Sequence, residues 1–386
     1  MKTTDRFQYL PKIRTTGIGS LPHHNSDTAL EFSFKMGLPF LPQIPIRNPW
    51  EFMIAQALEG LPGLFLEESS LVSLNISVWE SHSHVLDQRL REAFSQKAGR
   101  HSHHLAHPSA HHHRLEDRGF EPSATTAICW EPFLWELQER NYKIGKIQIA
   151  GPITCQWALK LQNGSSTENF PELCSQIFQL VLARAMAMTQ RMISIGIQPL
   201  LYLDEPGLYA LTRSNPKHVL ALQELKWMIQ TLRNEGAIVG LHCCSNTDWN
   251  AVFGLGLDLL SIDAGLSLKS ALASGPGMET FIKQGGRLSL GVISTGPTIS
   301  GGATGPSGKP SGQDPFETSE FHGNTFKNDT SKIYEDLLKT INKEHAHLQD
   351  QILSEAFFTP ACGLALHSTS EVELVLDKLK DFYGHL

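Results

Sequence analysis

The sequence lacks long apolar runs, basic tracts and an N-terminal targeting segment. No stretch reaches the roughly 18 consecutive apolar residues of a membrane-spanning helix, and the opening residues, MKTTDRFQYLPKIRTTGIG, lack the apolar core of a signal peptide. The formal charge is −7, and Lys and Arg form no run that would follow a phosphate backbone. These absences predict a soluble, cytoplasmic protein that binds neither membranes nor nucleic acids.

Cysteine is also scarce. Six Cys in 386 residues are too few for a disulfide scaffold and are typical of free thiols in a reducing compartment. In that setting, a Cys grouped with a His indicates a metal site before it indicates a disulfide. The cysteines are Cys129, Cys155, Cys174, Cys243, Cys244 and Cys362.

Two segments differ in composition from the rest of the chain. Residues 95–123 hold seven of the 18 histidines and few apolar residues, and residues 296–320 are rich in Gly, Pro and Ser. Neither can bury enough apolar surface to offset the entropy of ordering the chain. We predict that both are flexible inserts in a single domain that spans residues 1–386.

Outside these segments, short apolar runs alternate with longer helical patterns. The predicted strands are Thr15–Ile18, Pro39–Gln43, Ile144–Ala150, Gln198–Leu203, Ala237–His242, Leu257–Asp263, Leu288–Val292 and Ala356–Thr359. The clearest predicted helices are Phe170–Ile195, Lys217–Asn234, Ser331–Gln351 and Glu371–Tyr383. Strands alternating with helices predict a single (β/α)8 TIM barrel, although a doubly wound open sheet gives the same alternation.

Polar motifs at the ends of the strands favour the barrel. The motifs IGS, GPIT, DEP, HCCS, IDAG and PACG each stand at or just after the carboxyl end of an apolar run. In a barrel these ends share one rim, where catalytic groups lie. In an open sheet they would be spread along a line and would not form one site.

The segment LHCCS places His242 and Cys244 two residues apart at the end of an extended run, so both side chains can face one ion. The barrel would bring Cys362, in TPACG, to the same rim. Imidazole and thiolate suit Zn²⁺, and three protein ligands leave a fourth position for substrate. Asp263 is a candidate fourth ligand. A buried Cys packed as a small apolar side chain and a hydrogen-bonded His at a strand end are the alternative interpretation.

The order of these motifs resembles the C-terminal catalytic domain of cobalamin-independent methionine synthase. The segments TTGIGSLP, GPIT and LDEPGL resemble the family's TTxIGSFP, GPVT and IDEPAL, and H-x-C, S-I-D and P-x-C-G-L follow in the same order. The matches extend from residue 15 to residue 364. The family belongs to a superfamily that includes uroporphyrinogen decarboxylase. The long N-terminal half of the full-length enzymes has no counterpart here, so we expect a short, core-type member.

The resemblance implies a zinc site and its ligands. His242, Cys244 and Cys362 match the zinc ligands of the family. Asp263 stands where the family has a ligating Glu, and its side chain is shorter. The nucleophile implied is the substrate thiolate on the zinc ion, with no protein nucleophile.

The resemblance also implies where the substrates bind. Ile18, Gly19 and Ser20 match the segment that binds the amino-acid end of homocysteine, and Asp204 matches the acid that pairs with its ammonium. Trp157 lies within one position of the Trp that stacks on the folate. These positions predict homocysteine as the methyl acceptor.

The donor side departs from the family pattern. The family has GVYDIHS after the seventh strand, where its His helps to protonate the folate, whereas this chain has GVISTG. After the second strand, PQIP replaces an acidic HGE region. A methyl group on a tertiary amine leaves only when the nitrogen gains a proton, whereas a methyl group on cobalt needs none. The sequence therefore favours methylcobalamin or a methylated corrinoid protein over methyltetrahydrofolate, unless a histidine such as His23 or His24 acts as the acid.

We accordingly predict a zinc-dependent thiol S-methyltransferase of the methionine synthase type. Three other functions are compatible with parts of the sequence. A corrinoid-dependent methyltransferase acting on coenzyme M would share the metal motifs. A uroporphyrinogen decarboxylase-like enzyme would use Arg14 and Arg47 to bind carboxylates. A non-catalytic zinc-binding protein would depend on the His-rich insert.

Overall fold

The computed structural model describes residues 7–100, 119–295 and 329–386. The strands in these ranges are β1 (Leu64–Leu66), β2 (Val72–Leu74), β3 (Ile144–Ala150), β4 (Lys160–Leu161), β5 (Gln198–Asp204), β6 (Ile238–Cys243), β7 (Leu259–Asp263), β8 (Arg287–Ile293) and β9 (Phe357–Pro360). The α-helices are α1 (Ser26–Phe34), α2 (Met53–Ala57), α3 (Ile76–Arg100), α4 (Trp130–Glu139), α5 (Pro152–Ala158), α6 (Pro171–Ser194), α7 (Pro216–Asn234), α8 (Trp249–Phe253), α9 (Leu268–Leu272), α10 (Pro276–Lys283), α11 (Thr330–His345), α12 (Gln349–Glu355) and α13 (Thr369–Tyr383).

The main sheet has six strands in the order β3-β5-β6-β7-β8-β9, and every neighbouring pair is parallel. Helices connect these strands, as parallel pairing requires. The protein is therefore an α/β fold with a curled, all-parallel six-stranded sheet. Six of the eight predicted strands correspond to strands of this sheet, and β3 has the predicted bounds.

The first two predicted strands, Thr15–Ile18 and Pro39–Gln43, do not form continuous ladders. They are extended segments joined to the sheet and to each other by single parallel bridges. The bridges are Thr15–Phe358, Ser20–Gln43 and Phe40–Lys146. Pro39 and Pro42 have no N–H to donate, which interrupts a ladder. These two segments connect β9 to β3 through single bridges. The main sheet therefore has six continuous strands in the described residues, and the predicted eight-stranded sheet is not confirmed.

Two apolar cores surround the main sheet. The larger lies between the sheet and the helices. The smaller lies on the inner face and comprises Leu38, Ile144, Leu200, Tyr202, Ile238, Leu259 and Phe357, with Phe7 and Leu10 packed against it. Most of the inner core stands at or near the amino-terminal ends of its strands. The carboxyl-terminal half of the inner face is polar, and that half holds the candidate site.

Other predicted boundaries differ from the structure. Residues 95–100 belong to α3 and are not part of a loop, while residues 101–118 and 296–320 lie outside the described residues, so their predicted flexibility stays a prediction. The predicted helix Ser331–Gln351 is divided by a 3₁₀ turn at Ala346–Leu348. A small sheet of β1, β2 and β4 was not predicted. Among the described helices, none combines the length and the apolar character needed to cross a bilayer.

Candidate metal and substrate site

The side chains of His242, Cys244 and Cys362 converge at the carboxyl end of the main sheet. One imidazole nitrogen and the two Sγ atoms lie within 4.8 Å of one another. His242 stands near the end of β6, and Cys362 follows β9. Two strands separate β6 from β9, so a flat sheet would hold them about 14 Å apart at ~4.8 Å per strand. The curl of the sheet therefore brings the ligand atoms together.

The ring of His242 is oriented by a neighbouring strand. His242 is 4% exposed, and its Nδ1 lies 2.9 Å from the hydroxyl oxygen of Ser261 on β7. Its Nε2 is buried and makes no hydrogen bond with any residue that the structure describes. Metal-binding histidines are commonly fixed in this way, because a hydrogen bond at one ring nitrogen orients the other toward the ion.

The two thiols of the site influence each other. The pKa of the Cys362 thiol is lowered to about 4, because the neighbouring Cys244 thiol and then the His242 ring stabilise its thiolate. The interaction with Cys362, followed by burial, raises the pKa of Cys244 well above its usual value. The thiolate is the form of Cys that binds a metal. Cys243 points elsewhere: its Sγ lies 3.2 Å from the carbonyl oxygen of Ser245, as strand alternation predicts.

The segment from Ile18 to Ser20 lies against the loop that carries Cys362. The N–H of Leu364 donates to the carbonyl oxygen of Ser20 at 2.8 Å. A Cβ atom on Gly363 would stand 2.1 Å from the Ser20 hydroxyl oxygen, so a larger residue here would force the Ser20 hydroxyl to move. The structure thus brings the predicted substrate-binding segment beside the predicted metal ligands.

Two polar side chains of β3 hold the same segment from the inside of the sheet. The ammonium of Lys146 donates to the carbonyl oxygen of Ile18 at 2.6 Å and to Gln148 Oε1 at 3.1 Å. A Cβ atom on Gly19 would lie 2.6 Å from Gln148 Nε2, so the segment packs closely on this side chain. Sequence reasoning missed both residues. Their alternation within the strand IGKIQIA was the available signal, since residues two apart face the same side.

Asp204 lies beside His242 on the inner face. The two residues are paired in the register of β5 and β6. Asp204 is 6% exposed, and burial raises its pKa to about 6, with His242 and Lys146 acting in the opposite direction. Burial likewise lowers the pKa of Lys146 to about 8, and Asp204 opposes that shift. The Oδ1 of Asp204 is buried and accepts no hydrogen bond from the described residues. It is therefore available to a cationic ligand.

Asp263 and Trp157 are not members of the group formed by His242, Cys244 and Cys362. Asp263 ends β7, and its Oδ1 accepts a hydrogen bond from the N–H of Leu266 at 3.0 Å. It is not in the group whose ligand atoms lie within 4.8 Å of one another. The Trp157 ring packs on the His218 ring with centroids 4.4 Å apart. The structure places Trp157 on α5, which follows the carboxyl end of β3, in contact with the outer core.

Glu205, the middle residue of the DEP motif, has a structural role. It is fully buried, and its carboxylate accepts hydrogen bonds from the N–H groups of Ile153 and Thr154, at 3.0 and 2.7 Å, and from the Thr154 hydroxyl at 2.6 Å. These N–H groups belong to the first turn of α5, whose N-cap is Gly151. Burial raises the pKa of Glu205 to about 7 against the effect of these donors. Glu205 thus caps a helix whose own N-cap residue has no side chain to do so.

Two histidines follow segments that carry residues of the site: His23 follows Ile18–Ser20, and His367 follows Cys362. His23 is buried, its Nδ1 has no hydrogen-bond partner among the described residues, and burial lowers its pKa. His367 lies 3.1 Å, through Nε2, from the carbonyl oxygen of Thr295. Thr295 belongs to the loop after β8, where the family pattern has its own His. The position of His367 was not predicted, because it lies far from this loop in sequence.

The chain shows limited similarity to known proteins. No protein-family model matches it, and no curated protein matches its sequence. A B12-independent methionine synthase from Shewanella sp. W3-18-1, solved in complex with selenomethionine, is similar in structure. The two chains are 13% identical, the similarity covers 66% of each, and the TM-score is 0.43. A similarity of this size assigns neither a family nor an activity to the chain.

Proposed function

We propose that this protein is a zinc-dependent thiol S-methyltransferase that transfers a methyl group to homocysteine. In this proposal the bridged segments near Thr15 and Phe40 complete a (β/α)8 barrel, and the site lies on its carboxyl-terminal rim. The observation that carries the proposal is the convergence of one His242 ring nitrogen and two Sγ atoms within 4.8 Å of one another, beside a buried Nε2 that makes no hydrogen bond with a described residue.

The donor set fits zinc. One imidazole and two thiols are ligands that zinc prefers, and three protein ligands are typical of a catalytic site with a position left for substrate. Ser261 supplies the outer hydrogen bond that such a histidine needs. When bound, zinc supplies a Lewis acid that lowers the pKa of a coordinated thiol, so that the thiolate is present at neutral pH.

The remaining residues of the site would bind and orient the amino acid. Asp204 would accept hydrogen bonds from the ammonium of homocysteine through its free Oδ1. The Ile18–Ser20 segment, held by Lys146 and adjacent to Cys362, would position the amino-acid end. The buried inner face would exclude water from the thiolate. None of these groups acts as a nucleophile in the proposal.

Two methyl donors are compatible with this site: a methylated corrinoid such as methylcobalamin, free or on a partner protein, and methyltetrahydrofolate. Directly after β8, Ser294 and Thr295 stand where the family pattern has its Asp and His. His367 is engaged with the carbonyl oxygen of Thr295, and burial lowers the pKa of His23, which disfavours its protonated form. These observations favour a donor that needs no proton. The structural neighbour is B12-independent, so that similarity adds no support to a corrinoid donor.

The other candidate functions fit these contacts less well. A decarboxylase would need Arg14 and Arg47 together, but Arg47 pairs with Glu51 at 3.0 Å, and Arg14 interacts with Arg287 at the opposite end of the sheet. The sulfonate of coenzyme M would be repelled by Asp204. A non-catalytic zinc protein depends on a segment that lies outside the described residues.

The test of the proposed site is a zinc count with matched variants. Cys244→Ser combined with Cys362→Ser should lose about one zinc ion per chain relative to wild type, since serine is a poor zinc ligand. Cys174→Ser is the control, because Cys174 is partly buried outside the site and contacts the Thr167 carbonyl oxygen at 3.3 Å. Equal zinc counts in the double variant and wild type would falsify the site. Loss of homocysteine methylation in the double variant, with activity retained in the control, would support the function.

A further inference from the structure

A second group of metal-ligating side chains lies on the outer helical layer. Glu279 belongs to α10, His345 is the last residue of α11, and His347 lies in the turn that follows. One ligand atom from each lies within 4.8 Å of the others. His345 is hydrogen-bonded to Leu272, the last residue of α9, which is not a residue of the proposed methyl-transfer site. The cluster shares no side chain with the group of His242, Cys244 and Cys362 and has no part in the proposed methyl transfer.

The ring of His345 has the hydrogen bonding of a metal ligand. His345 is 5% exposed, and its Nε2 lies 2.8 Å from the backbone carbonyl oxygen of Leu272. A carbonyl oxygen only accepts, so Nε2 carries the hydrogen, and in the neutral ring Nδ1 then carries a lone pair. Nδ1 is buried and makes no hydrogen bond with the described part of the chain. One nitrogen held by a carbonyl group and the other left free is the usual state of a histidine that binds a metal.

The distances between Glu279 and the two histidines are too long for hydrogen bonds but are close to the spacing of ligands around one metal ion. Glu279 Oε1 lies 3.7 Å from His345 Nδ1 and 3.9 Å from His347 Nε2, beyond hydrogen-bond length in both cases. Zinc bonds of about 2.1 Å place tetrahedral ligands about 3.4 Å apart. The other oxygen of Glu279, Oε2, is held by Lys283 at 2.7 Å. That ion pair leaves Oε1 facing the two histidines.

We infer that Glu279, His345 and His347 form a second zinc site, which fixes the end of α11 to α9 and α10. Two imidazoles and one carboxylate are a donor set of zinc, and a fourth position would be open to water because His347 is 60% exposed. Without an ion, the lone pair of His345 Nδ1 and the carboxylate of Glu279 would face each other with no cation between them. The site would therefore stabilise the packing of α11 and would not take part in catalysis.

The location of the ion is tested by anomalous scattering. Crystals of the full chain grown with zinc chloride should show a peak bounded by these three side chains in data collected above the zinc absorption edge, and no peak below it. Absence of the peak, with the three side chains ordered, would overturn the inference. A peak at Cys362 alone would support the proposed function and reject the second site.

Zinc titrations in solution compare the wild type with variants of the cluster. His347→Ala should weaken one zinc site by more than about 100-fold, the upper range for loss of an outer-sphere partner, since a direct ligand is removed. Glu279→Gln should act in the same direction. His84→Ala is the control, because His84 is an exposed histidine on α3 outside the cluster. Cobalt substitution keeps the sites distinct, because thiolate charge-transfer bands report only the Cys244 and Cys362 site. Identical zinc titrations of His347→Ala and wild type would show that the cluster is only a set of polar surface contacts.

Discussion

At the scale of single residues, Asp204 is the clearest test of substrate binding. We expect Asp204→Asn to raise the KM for homocysteine about 10- to 100-fold, because a charge-assisted hydrogen bond contributes about 1.5–3 kcal/mol. Zinc content should stay unchanged, because Asp204 is not among the three clustered ligands. Steady-state kinetics and elemental analysis measure the two effects. A variant that loses zinc would instead make Asp204 a residue of the metal site.

The pH dependence of the same residue has a defined sign. Burial raises the pKa of Asp204 to about 6, so the carboxylate is lost as the pH falls through that value. We expect kcat/KM for homocysteine in the wild type to fall below pH 6, beyond any fall shown by Asp204→Asn. Parallel pH profiles of the two proteins are the measurement. Profiles of the same shape would show that Asp204 does not bind the ammonium.

The methyl donor also depends on a few residues. We expect a higher kcat/KM with methylcobalamin than with methyltetrahydrofolate, because general acid catalysis typically contributes 10²–10⁴-fold and Ser294 and Thr295 stand where the family pattern has its Asp and His. Parallel assays with both donors decide this. If the folate is the better donor, His23→Gln and His367→Gln would identify the acid, and the corrinoid donor would be excluded.

At the scale of elements, Glu205 and Gly151 form a coupled pair at the start of α5. Glu205→Ala should lower the free energy of unfolding by about 1–3 kcal/mol, because buried N–H groups lose their acceptor. Gly151→Ala should also destabilise, since its Cβ atom would lie 2.1 Å from Glu205 Oε1. In the Glu205→Ala background the clash is absent, so the second substitution should cost little.

Denaturant unfolding of the single and double variants measures this coupling. Gly265→Ala is a suitable control, because the nearest atom to its added Cβ, the Oδ1 of Asp263, would be at an ordinary 3.4 Å. Additive effects of Glu205→Ala and Gly151→Ala would show that the carboxylate does not cap the helix.

A comparison of predicted and observed elements shows which of them could be predicted from the sequence. β3 is predicted with its observed bounds because a short isoleucine-rich run, Ile144–Ala150, ends at Gly-Pro. The segments near Thr15 and Phe40 form single bridges and no ladder, and Pro39 and Pro42 have no N–H to donate to one. The spacing of His242 and Cys244 indicated a shared ligand direction. Partners such as Ser261 and Lys146 could not be assigned, because their roles depend on side-chain contacts across strands.

At the scale of the whole molecule, the proposed zinc ion would join parts of the chain that are distant in sequence. The unfolded chain has no preformed site, so zinc binding adds directly to the stability of the fold. At a free zinc concentration 1,000 times the Kd, the gain is about 4 kcal/mol per site, and each kcal/mol is worth about 1 °C of Tm in a chain of this size. We therefore expect a strong chelator to lower the Tm of the wild type by roughly 5–10 °C in total.

Variants that lack one site measure how much of the chelator-induced fall in Tm comes from the other. The combined Cys244→Ser and Cys362→Ser variant should keep only the part due to Glu279, His345 and His347. The His347→Ala variant should keep only the part due to the thiols, because the two sites share no ligand and the effects of independent sites add. Calorimetry with and without chelator, at one protein concentration, measures each part. A wild-type Tm that does not respond to chelator would mean that zinc does not join β6 to the loop after β9, and the curl of the sheet would then depend on the inner apolar core alone.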